Sequence, residues 1–396
     1  MTQIRQMLTD NYQCKSVKSA SSVFFFKIFQ FNIKPMLKKI ALFRILILFL
    51  PAGLIYSQDN TESKVNSILQ DYYSENSPGV SVMVLKNGEV QISKSYGYAN
   101  LEDEEKATEH TNYHLASLTG QFTAMTVMIL KDEGRADLSK KITEIWDGLP
   151  DYCNSVTLNH LLKQSSGLPN LSYRKFYWDI RNFQDIKNFL NDHEQLRYKP
   201  GQRSNSNSVN DALLASYVEK LSGSSYRKFV ENRIFEPLGM ESSALYKGGL
   251  FSSISDKARG YHRQNNDAFQ PAPEFQKDYY AGVTGVFSSL TDLQKWMKAW
   301  ETDTLITSST LSQAMRINFI RGQKQFPGYG WNRAFNKGQK YLYASGIGNG
   351  NTHIILKLPR EQIDVIILSN QHPLFGLREK AFELLNLFAE EEYEVK

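Results

Sequence analysis

The sequence has almost no cysteine. Of its 396 residues two are cysteines, Cys14 and Cys153, and only the second lies beyond residue 57. A fold held together by internal disulfides is therefore excluded for the main part of the chain. The seven histidines also lack the spacing of metal ligands, and we expect neither a bound metal nor another cofactor.

Beyond its first residues the chain also lacks a surplus of positive charge. The formal net charge of +5 comes from 46 basic and 41 acidic residues. Residues 1–57 hold eight of the basic residues and one of the acidic ones, Asp10, which leaves 38 basic and 40 acidic residues in the remainder. The sequence therefore predicts no nucleic-acid partner.

A targeting segment precedes the main part of the chain. From Met36, an alternative start, the sequence MLKKIALFRILILFLPAGLIYSQDN gives two lysines, an apolar stretch and a small residue, the order of a secretory signal. Arg44 and Pro51 interrupt the apolar stretch and leave it short for a membrane span. We expect an exported protein, periplasmic or secreted, with cleavage near Ser57/Gln58. If the segment stays uncleaved, it anchors the protein in the membrane.

Apolar periodicity gives β-rich segments at both ends of the remaining chain and helices between them. The β-rich runs lie in 78–100, around Asn87-Gly88, and in 341–346 and 351–371. Helical spacing marks the segments 117–132, 139–147, 156–164, 182–192, 208–222, 225–235, 290–300 and a terminal helix in 375–394.

This order of segments predicts one α/β (α+β) domain over residues 58–396, after a leader of residues 1–57. Strands at both ends indicate an antiparallel sheet that is built from both chain ends and flanked by helices. The helices between them indicate an inserted all-helical region at roughly 135–280.

The stretch HLASLTGQFTAM, residues 114–125, contains a candidate serine nucleophile. Ser117 precedes an apolar segment of helical spacing, so its hydroxyl lies near free N–H groups at the positive end of a helix. A nucleophilic serine needs a base, which a lysine three residues later supplies on the same helix face. Gly120 stands at that position and cannot act as a base. Taken alone, the pattern favours an N-cap serine.

Longer segments resemble a known family. YHLASLTGQFTAMTVMILKDEGRADLSKKI is similar to the active-site helix of serine β-lactamases and penicillin-binding proteins, in the class C and esterase-like branch, where the pattern is Ser-x-x-Lys. Segments similar to that family's later motifs follow in order at 156–171, 198–223, 234–245, 281–300 and 358–371. The resemblance implies a β-lactamase/transpeptidase-like fold and a small-molecule or peptidoglycan-like ligand, with membrane contact only through the leader. The oligomeric state stays open.

The resemblance also implies a role for each matching position. Ser117 matches the acylated nucleophile. Gly120 stands at the place of the activating lysine, and Asn205 at the place of the tyrosine that assists it. Ala344 stands at the place of the Lys/His in the Lys/His-x-Gly strand. The oxyanion hole of such enzymes uses two backbone N–H groups, here those of Ser117 and Ile347. The implied substrate-binding positions are Asn207, Ser345, Gly346 and Ile347.

Three proton-handling side chains are thus absent together, which leads to three hypotheses. The favoured one is a catalytically impaired relative that binds a cell-wall-type, ester or amide ligand. The second is an active serine hydrolase (esterase, peptidase or β-lactamase) acylated at Ser117 through another base, with the candidates His114, His353, Lys277 and Tyr280. The third is an interaction protein with a vestigial cleft, whose contact surface is the basic and aromatic run 173–183.

Overall fold

The computed structural model describes residues 52–396 apart from 172–179, 247–253, 266, 274–281, 317–318, 321 and 395–396. The compact unit considered below is Asp59–Lys396. Most of the expected leader, residues 1–51, lies outside the described residues, so export and cleavage stay predictions. In the part of the chain that is described, no helix combines the length and apolar character needed to cross a membrane.

A six-stranded antiparallel sheet joins the two ends of this unit. The described strands are β1 (Val80–Lys86), β2 (Glu89–Tyr96), β3 (Tyr98–Asn100), β4 (Glu105–Lys106), β5 (Tyr113–His114), β6 (Ala244–Leu245), β7 (Tyr261–Arg263), β8 (Phe269–Pro271), β9 (Val286–Ser288), β10 (Asn332–Asn336), β11 (Gln339–Gly348), β12 (Asn351–Leu358), β13 (Ile363–Ser369) and β14 (Gln371–His372). The order in the large sheet is β10-β11-β12-β13-β1-β2. The predicted α/β class, with a sheet built from both chain ends, is confirmed.

Local sequence explains how the first hairpin forms and how its strands divide the core. The β1–β2 turn holds Asn87 at φ 54° and Gly88 at φ 76°, the positive values of a type I′ turn, which Asn-Gly favours. Alternate residues of β1 point to opposite faces of the sheet. Met83 joins the apolar cluster that contains the Ser117 helix, whereas Val82 and Val84 join the cluster on the other face.

Helices cover both faces of the sheet. The described helices are α1 (Ala52–Leu69), α2 (Thr119–Asp132), α3 (Ile142–Ile145), α4 (Leu158–Leu162), α5 (Phe183–Asn191), α6 (Ser208–Ser222), α7 (Tyr226–Val230), α8 (Glu236–Leu238), α9 (Leu290–Ala299), α10 (Ser308–Met315) and α11 (Leu377–Asn386). The predicted bounds 208–222 agree with those of α6. Asn207 caps the start of this helix, and Gly223, at φ 72°, ends it. Helix α10 was not predicted.

Among the described residues of the inserted region, the helices end at Leu238. Beyond it, short strands contribute to two small sheets with the orders β5-β9-β6 and β14-β7-β8. Strands of two or three residues are too short to show a periodic pattern, which is why the sequence indicated helices alone for this region. The β5–β9 pair positions the site, because it holds Tyr113–His114, which end three residues before Ser117.

Candidate functional site

Ser117 projects from a tight turn at the start of a buried helix. Residues 116–118 form a 3-10 turn that continues into α2, and Ser117 is exposed while Ala116 and Leu118 are buried. Ala116 has φ 48°, a left-handed conformation that costs a non-glycine residue about 1–2 kcal/mol. The N–H of Leu115 donates to the Val286 carbonyl at 2.8 Å, so strand β9 holds the chain in this turn.

Helix α2 gives the serine a rigid support. Every residue from Thr119 to Leu130 is buried, and the Phe122 ring stacks on Trp296 with centroids 4.1 Å apart. A helix that is buried on all sides belongs to the core of a protein. The position of Ser117 is therefore fixed by core packing.

Gly120 lies one helical turn after Ser117 and faces a carboxyl group. A Cβ atom placed on Gly120 would lie 3.6 Å from Oδ2 and 3.8 Å from Oδ1 of Asp211. These are ordinary van der Waals distances, so a Cβ atom at residue 120 would fit beside this carboxyl group without overlap. At the place where the resemblance implies a lysine, this chain has a glycine that faces the carboxyl group of Asp211 from helix α6.

Gln164 holds Asp211 in place. Its Nε2 donates to Asp211 Oδ1 at 2.8 Å. Its Oε1 accepts from the Asn207 N–H at 2.9 Å and from Asn210 Nδ2 at 2.8 Å. Burial raises the pKa of Asp211 to about 7, and the hydrogen bond from Gln164 only partly opposes that rise. Asp211 therefore keeps its proton to a higher pH than an ordinary aspartate.

Asn207 lies on the cavity wall, but its side chain bonds to the backbone. Oδ1 accepts from the Val209 N–H at 2.9 Å and so caps α6, and Nδ2 donates to the Leu168 carbonyl at 2.9 Å. These bonds leave the amide little hydrogen-bonding capacity for a ligand. Asn205 is exposed and does not belong to the described cavity lining, which includes its neighbour Ser206 instead.

Strand β11 forms another wall with Ala344 and Ser345. A Cβ atom on Gly346, the next residue, would overlap with the Leu115 carbonyl oxygen. The close approach of β11 to the serine turn therefore requires glycine. Strand β10 pairs with β11 only as far as Tyr343, so the rest of that edge of β11 is open with respect to the described strands.

Ile347 lies on this open edge. The β11–β12 turn holds Asn349 at φ 45° and Gly350 at φ 75°, as in a two-residue type I′ hairpin. The residues that flank such a turn, here Gly348 and Asn351, form a hydrogen-bonded pair. Every second residue of β11, including Ile347, therefore directs its N–H away from β12. The role of this N–H as an oxyanion donor stays a prediction.

These walls surround an open cavity of about 260 Å³. Asp211 is the only ionisable side chain in its described lining, which otherwise consists of hydroxyl, amide, glycine and apolar residues. The Ser117 hydroxyl, which also lines the cavity, makes no hydrogen bond to another described residue. The described cavity thus contains an acid, an unpartnered serine hydroxyl and no cation.

Two of the candidate bases, His114 and His353, are buried core residues. His353 Nε2 donates to the His114 carbonyl at 2.8 Å, and its Nδ1 accepts from the Ser369 N–H at 3.1 Å. Burial lowers the pKa of His114 to about 3 and that of His353 to about 4, so both are neutral, and neither is part of the described lining. The other two candidate bases, Lys277 and Tyr280, lie outside the described residues.

A buried arginine shapes the remaining wall. Arg333 Nη1 donates to the carbonyls of Gly328 at 2.7 Å and Trp331 at 3.1 Å, and Nη2 donates to the Ala314 carbonyl. Gly328 and Trp331 both line the cavity. Burial lowers the pKa of Arg333 to about 10, so the guanidinium remains charged at neutral pH and fixes this loop from behind.

Asp211 is the candidate residue that sequence reasoning missed, although a signal was present. It lies in the first turn of α6, three residues after Ser208, and residues three apart share one face of a helix. The resemblance implies that the preceding residue, Asn207, lies at the cleft, so an acid in the first turn of α6 is a candidate for the same cleft.

Known proteins are similar to this chain over most of its length. Protein flp of Staphylococcus aureus (strain NCTC 8325 / PS 47) is 25% identical over 327 residues, which cover 79% of this chain and 64% of flp. The match thus spans less than two thirds of flp. Penicillin-binding protein 4* of Bacillus subtilis (strain 168) is 26% identical over 308 residues, which cover 74% of this chain and 68% of that protein.

A solved structure and a family model agree with these similarities. The octameric penicillin-binding protein homologue from Pyrococcus abyssi superposes with a TM-score of 0.72 and 26% identity, covering 85% of this chain and 79% of that chain. The family model described as Beta-lactamase matches residues 64–390. The predicted resemblance is confirmed, and the chain belongs to the Beta-lactamase family.

Proposed function

We propose that this protein is exported, binds an amide or ester ligand such as a cell-wall peptide in the Ser117 cavity, and is impaired in serine acyl transfer. The observation that carries the proposal is the pairing of Gly120 with Asp211. Where the family resemblance implies a lysine that activates the serine, this chain has an open space next to an acid.

The surroundings of Ser117 disfavour ionisation of its hydroxyl. A serine hydroxyl is nearly un-ionised at neutral pH and becomes a nucleophile only when a base removes its proton. Ionised Asp211 is a negative charge in the same cavity and raises the free energy of a serine alkoxide. General acid–base help is worth about 10²–10⁴-fold in rate, and this help is missing at the positions of Gly120 and Ala344.

The second candidate function is slow hydrolysis with Asp211 as the base. The observation in its favour is that burial raises the pKa of Asp211 to about 7, the range in which a general base works best at neutral pH. Asp211 also faces Gly120, one turn from Ser117. In this alternative the carboxylate takes the Ser117 proton, directly or through one water, as the ester or amide carbonyl is attacked.

A neutral covalent probe separates the two functions. Wild type, Ser117→Ala and Ser345→Ala are treated with a labelled fluorophosphonate, and hydrolysis of a neutral ester is measured in parallel. Ser345→Ala is the matched control, because it removes a hydroxyl from another wall of the same cavity. We expect no labelling or turnover above the Ser117→Ala level.

Stoichiometric labelling that requires Ser117, together with ester turnover, would contradict the impaired function. In that case Asp211→Asn decides between bases, since loss of turnover in this variant supports Asp211. Export is tested separately by sequencing the amino terminus of the protein recovered from its own cells, where a start at residue 1 or 36 would contradict cleavage near Ser57.

A further inference from the structure

Gly120 leaves space beside the carboxyl group of Asp211. The atoms of this carboxyl group are the nearest neighbours that a Cβ on Gly120 would meet, at 3.6 to 3.8 Å. Both residues line the cavity. A ligand group in the cavity can therefore approach the carboxyl group past residue 120 without displacing a side chain.

One oxygen of Asp211 is held by the protein and the other is available. Oδ1 accepts from Gln164 Nε2 at 2.8 Å. Among the described residues, none donates a hydrogen bond to Oδ2 or forms an ion pair with it. A carboxylate accepts several hydrogen bonds, so Oδ2 has capacity for a donor from a ligand.

We propose that Gly120 and Asp211 form a subsite for a protonated amine. This inference rests on the proposed function, because it names the ligand class of the same cavity. The ammonium group of the ligand lies beside residue 120, in the space that a lysine side chain would enter, and donates to Asp211 Oδ2. An ammonium–carboxylate contact is a charge-assisted hydrogen bond, which is stronger than a neutral one.

The same geometry disfavours an anionic ligand. The described lining contains no lysine, arginine or histidine that could pair with a ligand carboxylate. Asp211 repels such a group, and partial burial strengthens the repulsion because the effective dielectric constant is lower than in water. The preferred ligand therefore carries an amine near its amide or ester and no carboxylate at this end of the cavity.

The described elements around Asp211 add no further charge. Gly120 faces Asp211 from helix α2, and Gln164 faces it from the loop after α4. Tyr226 of α7 lies nearby, and burial raises the pKa of its phenol above the ordinary value. Amine binding requires the ionised carboxyl group. Because burial raises the pKa of Asp211 to about 7, binding of an amine strengthens about tenfold from pH 6 to pH 8.

Three probes of one shape and different charge test the subsite. Benzylamine, benzyl alcohol and benzoate are titrated into the protein at pH 8, and binding is followed by NMR. We expect benzylamine to bind at least tenfold more tightly than benzoate, with benzyl alcohol between them. Asp211→Asn should weaken benzylamine at least tenfold and change benzyl alcohol less than threefold. The control Asp303→Asn removes the same charge from an exposed site and should change nothing.

Equal affinities for the three probes, or benzylamine binding that Asp211→Asn leaves unchanged, would overturn the proposal. The pH dependence in wild type needs no variant, and a flat profile between pH 6 and pH 8 would count against it as well. Repeating the titrations in Ser117→Ala separates this inference from the proposed function. In that variant no acyl transfer takes place, so the charge preference is measured whether or not wild type proves to be a hydrolase.

Discussion

Replacing Asp211 with asparagine is expected to stabilise the protein, and more so at high pH than at low pH. Asparagine retains an oxygen that accepts the hydrogen bond from Gln164 Nε2, but it cannot ionise. In wild type, burial raises the pKa of Asp211 from 3.8 to about 7. A group with a raised pKa in the folded state contributes stability that is complete below pH 3.8 and is lost as the pH rises to 7.

The size of the effect follows from the two pKa values. Between pH 5 and pH 8, a fully buried carboxyl group with these values would lower the free energy of unfolding by about 2.5 kcal/mol. Asp211 is partly open to the cavity, and solvent screening reduces the loss. We therefore expect wild type to lose about 1–2 kcal/mol relative to Asp211→Asn over this pH range.

Urea unfolding followed by tryptophan fluorescence measures this difference at a series of pH values. Asp303→Asn serves as the control, because it removes an exposed charge and should run parallel to wild type. A constant offset between wild type and Asp211→Asn from pH 5 to pH 8 would refute the reasoning. It would show that the carboxyl group titrates in its ordinary range.

Three further substitutions test other parts of the site. Gly120→Lys should raise the melting temperature, because the new ammonium group pairs with Asp211. It should not restore acylation of Ser117, since the ion pair keeps the lysine protonated. If Gly120→Lys were acylated as fast as the double variant Gly120→Lys/Asp211→Asn, this reasoning would be contradicted. Gly346→Ala should lower the free energy of unfolding by about 3 kcal/mol or more, because the new Cβ overlaps with the Leu115 carbonyl, and a urea midpoint like that of wild type would contradict the packing. Arg333→Met leaves buried carbonyl groups without their hydrogen-bond donor and should lower the free energy of unfolding by about 3 kcal/mol. A decrease below about 1 kcal/mol in the same urea assay would show that the loop does not depend on the guanidinium.

Much of the fold was predictable because strong local signals agree with it. The Asn87-Gly88 turn adopts the two positive φ values that its residues favour. Helix α6 begins and ends at residues that the sequence already marks, Asn207 and Gly223. The short strands β5 to β9 were not predicted, because strands of two or three residues show no periodic pattern. In addition, β5, β6 and β9 form by pairing with distant segments.

The site was harder to predict, for physical reasons that differ between residues. Gly120 and Ala344 line the cavity, and the roles that the resemblance implies for their positions stay predictions. In the segment before α6, Ser206 lines the cavity where Asn205 had been expected, and a sequence motif alone does not fix which of two adjacent loop residues faces inward. The sequence does not single out Asp211, because the helix dipole favours an acid in the first turn of a helix whether or not it faces a cavity. Its contact with Gly120 depends on how α2 and α6 pack.

Acylation of Ser117 by a neutral substrate tests the central claim most directly. Wild type and Ser117→Ala are incubated with a neutral activated ester such as p-nitrophenyl acetate, and the mass of the intact protein is recorded over time. A neutral ester is required because the cavity would exclude an anionic penicillin through charge alone. The account predicts no mass increment in wild type beyond that in Ser117→Ala. A stoichiometric acetyl increment on Ser117 that forms and then hydrolyses would contradict it.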